Sequence, residues 1–428
     1  MSDAARATPA EAARGGRAYW ALVALILGLA AGAIAAAAGD GLREPALQAA
    51  SMIGGLWLNA LKMTVIPLIV ALLIVGVARG AEAAAAGRIA GRTVLWIIIV
   101  CTGSALFGAL MMPALTRIFP LPTEAAEALR AGLAGIDPAA AAAPVPAVAD
   151  FFKNIIPDNA IHAAANGDVL PLVIFAALFA LAAARLAQQP RRTLVGFFDA
   201  AAGALLIIIG WVLLIAPLGV FALAFTVGAS AGGAAFTGVL HYIVLVSLLG
   251  VLVTLAGYPI GAWPGGRGLR RFASGLVGPQ TVAISTRSSL ASLPAMLTAA
   301  RGMGVREEVA DVALPLSVAL FRATGPAMNV GVAFYVAHWL GFEPSMTQMI
   351  AATAVAAVIS YGAVSLPGEV SFISSIAPIA MALGVPIAPL ALLVAVEMVP
   401  DIFRTLGNVT LDVAVTTAVD RTTAEDRG

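Results

Sequence analysis

Six polar residues recur near the C-terminus: Glu397, Asp401, Arg404, Thr405, Asn408 and Asp412. At about 100° per residue they fall on one helical stripe roughly 100° wide, and the residues between them are mostly apolar. A fixed cation recognises a carboxylate through two parallel hydrogen bonds, and a fixed anion recognises an ammonium group. The stripe therefore has the chemistry to hold a small charged molecule. The plainer reading is a self-neutralised network, since Asp401 and Arg404 can pair at i,i+3. That pairing leaves Asn408 and Asp412 unexplained.

Three other stretches carry matching chemistry. One runs Thr286-Arg287-Ser288-Ser289-Leu290-Ala291-Ser292-Leu293-Pro294, where hydroxyls and free backbone N–H groups can hold a carboxylate beside Arg287. Another is Gly362 to Gly368, including Val364, Ser365 and Pro367, where Gly and Pro permit a tight turn between half-helices. The last is Phe321 to Asn329, with Arg322, Thr324 and Asn329 as its polar side chains. Taken singly, Ser and Gly here could merely allow close helix packing. The plainer reading of Arg322 is an ion-pair partner for an acid on another helix.

The surrounding sequence is that of a membrane protein. Of 428 residues, 61% are hydrophobic and 11% charged, well under the ~25% charged typical of a soluble domain. One soluble core could not bury so much apolar surface. Net charge is +1, so no polyelectrolyte partner is implied. The single cysteine, Cys101, excludes an internal disulfide, and Zn-type Cys/His spacing is missing. A bilayer core needs about 20 apolar residues per helix. Uninterrupted runs span Ala18–Ala38, Met52–Val77, Thr93–Leu115, Val169–Leu186, Leu205–Val227 and Val239–Ile260. The later runs are broken: Phe272–Ala300 at Ser285–Ser292, Val312–Leu340 at Phe321–Pro326, and Met346–Leu383 at Gly362–Gly368. Pro386–Ala418 is one long run that carries the stripe.

Arginine recurs on alternate loops: Arg6, Arg14 and Arg17; Arg79, Arg88 and Arg92; Arg185, Arg191 and Arg192; Arg267, Arg270 and Arg271. This alternation puts both termini in the cytoplasm. Arg301 and Arg306 follow the seventh run, and a re-entrant hairpin keeps them inside too. Met346–Leu383 must then also be a hairpin. The N-terminal segment lacks a short h-region and cleavage site, and reads as a retained cytoplasmic tail. Irregular backbone at membrane depth is tolerated where protein buries it or water reaches it, and exposed half-helix ends attract ions.

With these residues in view, the chain resembles the dicarboxylate/amino acid:cation symporter family, whose best-known members carry glutamate and aspartate. Asp401-Ile-Phe-Arg404-Thr405-Leu-Gly-Asn408-Val-Thr-Leu-Asp412 looks like that family's final helix. Arg287-Ser288-Ser289 through Pro294 resembles its first hairpin tip, and Ser365-Leu-Pro367-Gly368 its second. Weaker agreement lies in Val169-Leu-Pro171 and Ala216-Pro217-Leu-Gly219. The resemblance implies an all-α polytopic protein with eight transmembrane helices, two re-entrant hairpins and inverted repeats, assembled as a homotrimer in a bacterial-type inner membrane. Residues 1–17 would form a cytoplasmic tail. Scaffold helices would occupy 18–77, with 116–229 holding an extracellular loop and two more. The third helix, 93–115, and residues 237–418 would form a transport unit moving as an elevator, with a tail at 419–428.

The resemblance also implies roles. Asp401 would take the substrate amino group, and Arg404 the side-chain carboxylate. Asn408 would meet the main carboxylate region, and the serines of the first tip would hold the α-carboxylate. Asn408 and Asp412 would help bind sodium. No other cofactor is implied. One departure is clear: the family's Asn-Met-Asp-Gly-Thr break becomes Phe321-Arg322-Ala323-Thr324-Gly325-Pro326-Ala327-Met328-Asn329. The aspartate is missing and an arginine has entered. The third helix also lacks the family's tyrosine. The expectation is fewer coupled sodium ions, with Arg322 as a tethered cation and Glu397 or Asp412 as a proton carrier.

The expected function is symport of an acidic amino acid with sodium or protons. A C4-dicarboxylate symporter is the nearest rival, and the acid at Asp401 argues for an amino group in the substrate. A passive anion channel is a further alternative. An intramembrane hydrolase would need a Ser/His pair, and His162, His241 and His338 do not neighbour the Ser-rich tip in sequence.

Overall fold

The computed structural model describes residues 9–38, 40–85, 87–134, 156–231, 234–361 and 368–425. Its regular elements are helices: α1 Pro9–Ala38, α2 Asp40–Ala85, α3 Arg88–Ile118, α4 Thr123–Ala134, α5 Ala160–Asn166, α6 Val169–Ala184, α7 Gln188–Leu214, α8 Ala216–Ala231 and α9 Ala234–Ala262. Then come α10 Leu269–Thr286, α11 Ser289–Gly302, α12 Glu307–Leu320, α13 Thr324–Leu340, α14 Met346–Ser360, α15 Gly368–Leu383 and α16 Ala388–Leu393. A short 3-10 turn, Val394–Val396, leads into α17, Met398–Glu425. Among the described residues, five helices are long and apolar enough to cross a membrane, within α1, α2, α3, α7 and α9. The protein is a multi-pass membrane protein, and its outer surface carries large apolar side chains such as Leu56, Leu110 and Trp211.

Two expected runs are cut differently. Leu205–Val227 is split at Ile215 between α7 and α8. Pro217 has no N–H to donate and disfavours helical backbone at the residue before it. The long run Pro386–Ala418 is likewise split, and Glu397 stands at the joint rather than inside the helix. Pro400 lies in the first turn of α17, where its missing N–H costs little. The stretch 116–167 holds two short helices, α4 and α5, and residues 135–155 within it are outside the described set.

The packing falls into two groups. α1 lies along α8, and α2 packs on α6, α7 and α8. α3 packs on α13, α9 packs on α17, α10 pairs with α11, and α14 pairs with α15. One apolar core joins α3, α9, α10, α11, α12, α13 and α17 through Cys101, Phe272, Met296, Leu314, Ala327 and Val413.

The α10–α11 pair starts and finishes at one place. Arg267, just before α10, and Arg306, just after α11, both bind the buried Asp420 of α17. The Arg306 Nε–Asp420 Oδ1 distance is 2.7 Å, and Arg306 also donates to the Asp420 carbonyl and to Thr423. Asp420 had no counterpart in the sequence reading. The α14–α15 pair closes similarly at its base, where Gly384, at φ 86°, sits against Gln348.

Candidate functional site

Two irregular points converge on α17, and a third expected one, between α14 and α15, lies outside the described residues. The first is the tip between α10 and α11. Arg287 is the one described non-glycine residue with positive φ, at 50°. A Cβ makes this left-handed backbone costly, and such residues persist where the surroundings hold them. The turn lets Ser288 cap α11, its hydroxyl accepting from the Ala291 N–H at 3.2 Å. Ser289 opens α11, so its amide and that of Leu290 lie in the unbonded first turn, where an anion is favoured. Arg287 Nη1 stands 3.8 Å from Asp401 Oδ2, which brings the tip to the stripe.

The second point is the break Phe321–Ala323. Phe321 is extended and ends α12, and α13 restarts at Thr324 with Pro326 in its first turn. The Thr324 amide donates to Asn408 Oδ1 at 3.0 Å, so Asn408 caps α13 from another helix. The Thr324 hydroxyl lies 2.6 Å from Asn408 Oδ1 and 2.7 Å from the Arg404 carbonyl, and its one proton serves one acceptor at a time. Two glycines allow this closeness. A Cβ at Gly407 would collide with the Thr324 side chain, and one at Gly108 of α3 with the backbone of Ala327. The Ser104 hydroxyl of α3 donates to the Ala323 carbonyl. The break is thus clamped between α3 and α17.

The third point is the tip at 362–367. It holds Val364, Ser365 and Pro367, and it lies outside the described residues; Gly368 opens α15. At its near edge, Tyr361 exchanges a hydrogen bond of 2.7 Å with Thr102 of α3.

Within the stripe, Glu397, Arg404, Thr405, Asn408 and Asp412 are buried and Asp401 is partly exposed. Arg404 is already engaged. Its Nη2 donates to Glu397 Oε1 at 2.7 Å and its Nη1 to Asn329 Oδ1 at 2.6 Å. The Thr405 hydroxyl donates to the Asp401 carbonyl. Asp412 is fully buried, and neither of its carboxylate oxygens has a hydrogen-bond partner. Arg322 is half-buried, and the charges around it are Asp401, Arg404 and Asp412. A carboxylate with both oxygens unbonded, beside Asn408, fits a monovalent cation, and Arg322 brings a competing positive charge to the same place. Tyr242 of α9, missed by the sequence reading, turns its buried hydroxyl toward Glu397.

The geometry, then, is a set of fixed charges at the junction of a hairpin tip, a helix break and a polar stripe. A model of the sodium:dicarboxylate symporter family matches residues 18–422. The chain belongs to that family. A proton/sodium-glutamate symport protein of Bacillus subtilis is 29% identical over 363 residues, covering 84% of this chain and 82% of the relative. A C4-dicarboxylate transport protein of Deinococcus radiodurans is 26% identical over 412 residues, covering 94% and 87%. A proton/sodium-glutamate symport protein of Geobacillus stearothermophilus is 26% identical over 398 residues, covering 92% and 91%. This sodium:dicarboxylate family member is a transporter rather than an enzyme, and its family couples transport to cations.

Proposed function

We propose that this family member is a symporter of an acidic amino acid such as glutamate or aspartate. Asp401, between Arg287 and the neighbouring Arg404, is the observation that carries this reading. An amino acid with a second carboxylate has two negative groups and one positive one. Two arginines and one aspartate complement it. Ser288, Ser289 and the first amides of α11 add donors for the α-carboxylate, and Val364, Ser365, Pro367 and Gly368 are the further substrate-binding residues of this reading. The names of the Bacillus and Geobacillus relatives agree with this substrate.

One observation favours a C4-dicarboxylate instead. Arg322 brings a further positive charge toward Asp401. If it neutralises Asp401, no anion is left for an ammonium group. The name of the Deinococcus relative points the same way. Uptake into proteoliposomes separates the readings. Asp401→Asn should weaken aspartate uptake far more than succinate uptake; equal losses would remove the case for an amino acid.

The working molecule in this reading is a homotrimer in a bacterial plasma membrane, with both termini cytoplasmic. α1, α2 and α6–α8 form the scaffold, and α3 with α9–α17 forms a transport unit that moves as an elevator. The shared Asp420 anchor of Arg267 and Arg306 supports a re-entrant first hairpin, since both of its ends meet one carboxylate. Coupling uses fewer sodium ions than in glutamate transporters, because Arg322 supplies a tethered charge at the break, within electrostatic reach of Asp412.

A further inference from the structure

The apolar span of α9 runs from Phe236 to Ala262. The chain therefore leaves the bilayer at Trp263, which is 73% exposed. A tight turn follows, Pro264-Gly265-Gly266-Arg267-Gly268, and α10 begins at Leu269, itself 59% exposed. Gly266 and Gly268 take positive φ, 65° and 72°, which turns the chain back at the membrane surface.

Arginines surround this turn. Arg421 of α17 lies across it: its Nη1 donates to the Trp263 carbonyl at 2.8 Å, and a Cβ on Gly266 would stand 3.1 Å from its Cδ. Arg270 and Arg271 occupy the first turn of α10, and both are exposed. Arg270 has no hydrogen bond or ion pair among the described residues. Arg271 reaches the Gly302 carbonyl, at 3.3 Å, and no described carboxylate. The described carboxylates nearby are already engaged. Asp420 is shared by Arg267 and Arg306, Glu308 pairs with Arg306, and Glu307 and Asp311 pair with Arg301.

The fold gives these two cations no reason to stand where they do. The start of a helix is positively polarised and favours acidic side chains in its first turn. α10 has no acid there and carries arginine instead. Orientation in the membrane would be served as well by arginine elsewhere in the same loop. We propose that Arg270 and Arg271, with Arg421 and Trp263 beside them, bind the phosphate headgroup of an anionic phospholipid. A guanidinium meets a phosphate through parallel hydrogen bonds, and the phosphate charge offsets the arginines and the helix start together. An indole suits the headgroup level, with its ring against the acyl chains and its N–H in the polar layer. The exposed Trp263 and Leu269 distinguish this patch from a site for a soluble anion, which would leave both in water. The headgroup holds the start of α10 at the membrane surface, while Arg267 ties the same turn to α17 through Asp420. The inference does not depend on which substrate is carried.

Each arginine near an anionic membrane surface contributes about fivefold to binding. Native mass spectrometry of the purified protein, offered equal amounts of phosphatidylglycerol and phosphatidylcholine, reads which lipid is retained. Wild type should hold phosphatidylglycerol preferentially. Arg270→Gln combined with Arg271→Gln should lower that preference by roughly 25-fold. Arg192→Gln, at an exposed arginine near the start of α7, should leave it unchanged. Equal retention of the two lipids by wild type, an undiminished preference in the double variant, or the same loss in Arg192→Gln would overturn the inference. So would displacement of the bound lipid by inorganic phosphate, which marks a site for soluble anions. If the double variant does not fold, fluorescence of the wild type in bilayers decides alone. Brominated phosphatidylglycerol should quench Trp263, read as the difference from Trp263→Phe, more strongly than brominated phosphatidylcholine; equal quenching would overturn the inference.

Discussion

At the scale of single residues, Arg404 and Arg322 divide the work of cations. Arg404 is held in a planar fork by Glu397 and Asn329, so its geometry is set before any substrate arrives. Arg404→Ala would leave Glu397 and Asn329 with buried unmet polar groups and confound binding with folding. Arg404→Lys is the sharper change, because it keeps the charge and removes the fork. Losing one charged hydrogen bond at this desolvated site should cost roughly 1.5–3 kcal/mol, or about 10- to 150-fold in affinity. Unchanged aspartate affinity in a folded Arg404→Lys protein would remove Arg404 from the site. Arg322 is the cation closest to Asp412 in role, and an arginine stays ionised at neutral pH. A shallow sodium dependence of uptake in wild type, becoming steeper in Arg322→Met, is the expected result. A steep multi-ion sodium dependence, the same in both proteins, would sink the tethered-cation idea.

At the scale of elements, two glycines decide how closely the helix break can be held. Gly407 admits Thr324 against α17, and Gly108 admits Ala327 against α3. Gly407→Ala should push the start of α13 off Asn408 and lower transport at least tenfold; transport at the wild-type rate would show that the clamp is dispensable. Such clamps were not legible in the sequence. With 43 glycines in the chain, no pattern marks these two. Tyr242 was equally silent, a single tyrosine in an apolar run. The stripe from Glu397 to Asp412 was legible, because ionisable residues in a membrane helix are rare enough to be read by spacing alone. Its internal pairing was not. Sequence spacing favoured Asp401 with Arg404, whereas the structure pairs Arg404 with Glu397 and brings Asp401 near Arg287. Glu397 keeps helical backbone and its carbonyl accepts from the Asp401 N–H, so Arg404, two turns on, shares its face; spacing allowed both pairings and could not choose between them. The breaks themselves were visible as Ser-, Gly- and Pro-containing interruptions, and Pro217 and Pro400 account for the boundaries that shifted.

At the scale of the whole molecule, the exposed apolar surface is the open quantity. α7 is mostly exposed, with Phe197 at 65% and Trp211 at 64%. Lipid covers part of such a surface in any membrane protein. In the trimer reading a neighbouring subunit covers the rest. The chain offers a clean background for deciding, because its one cysteine, Cys101, is buried and free. In a Cys101→Ala protein, Phe197→Cys and Trp211→Cys should each be tested for cross-linking in native membranes with a short bifunctional maleimide. Cross-linked dimers and trimers from one of them would put α7 at the subunit contact. Monomers alone from both, with each cysteine modified by a membrane-soluble maleimide, would put α7 in lipid.

The triple junction of Arg267, Arg306 and Asp420 bears on how the chain is made. Ribosomes deliver it from the N-terminus, so both arginines leave the tunnel long before the carboxylate: Arg306 precedes Asp420 by 114 residues and Arg267 by 153. Throughout that interval the first hairpin is short, broken at Arg287 and without its anchor. It can be a finished element only after α17 has entered the bilayer. α17, made after both arginines, therefore acts as the latch of this hairpin, and nascent chains stalled before Asp420 should be the ones that membrane quality-control proteases remove.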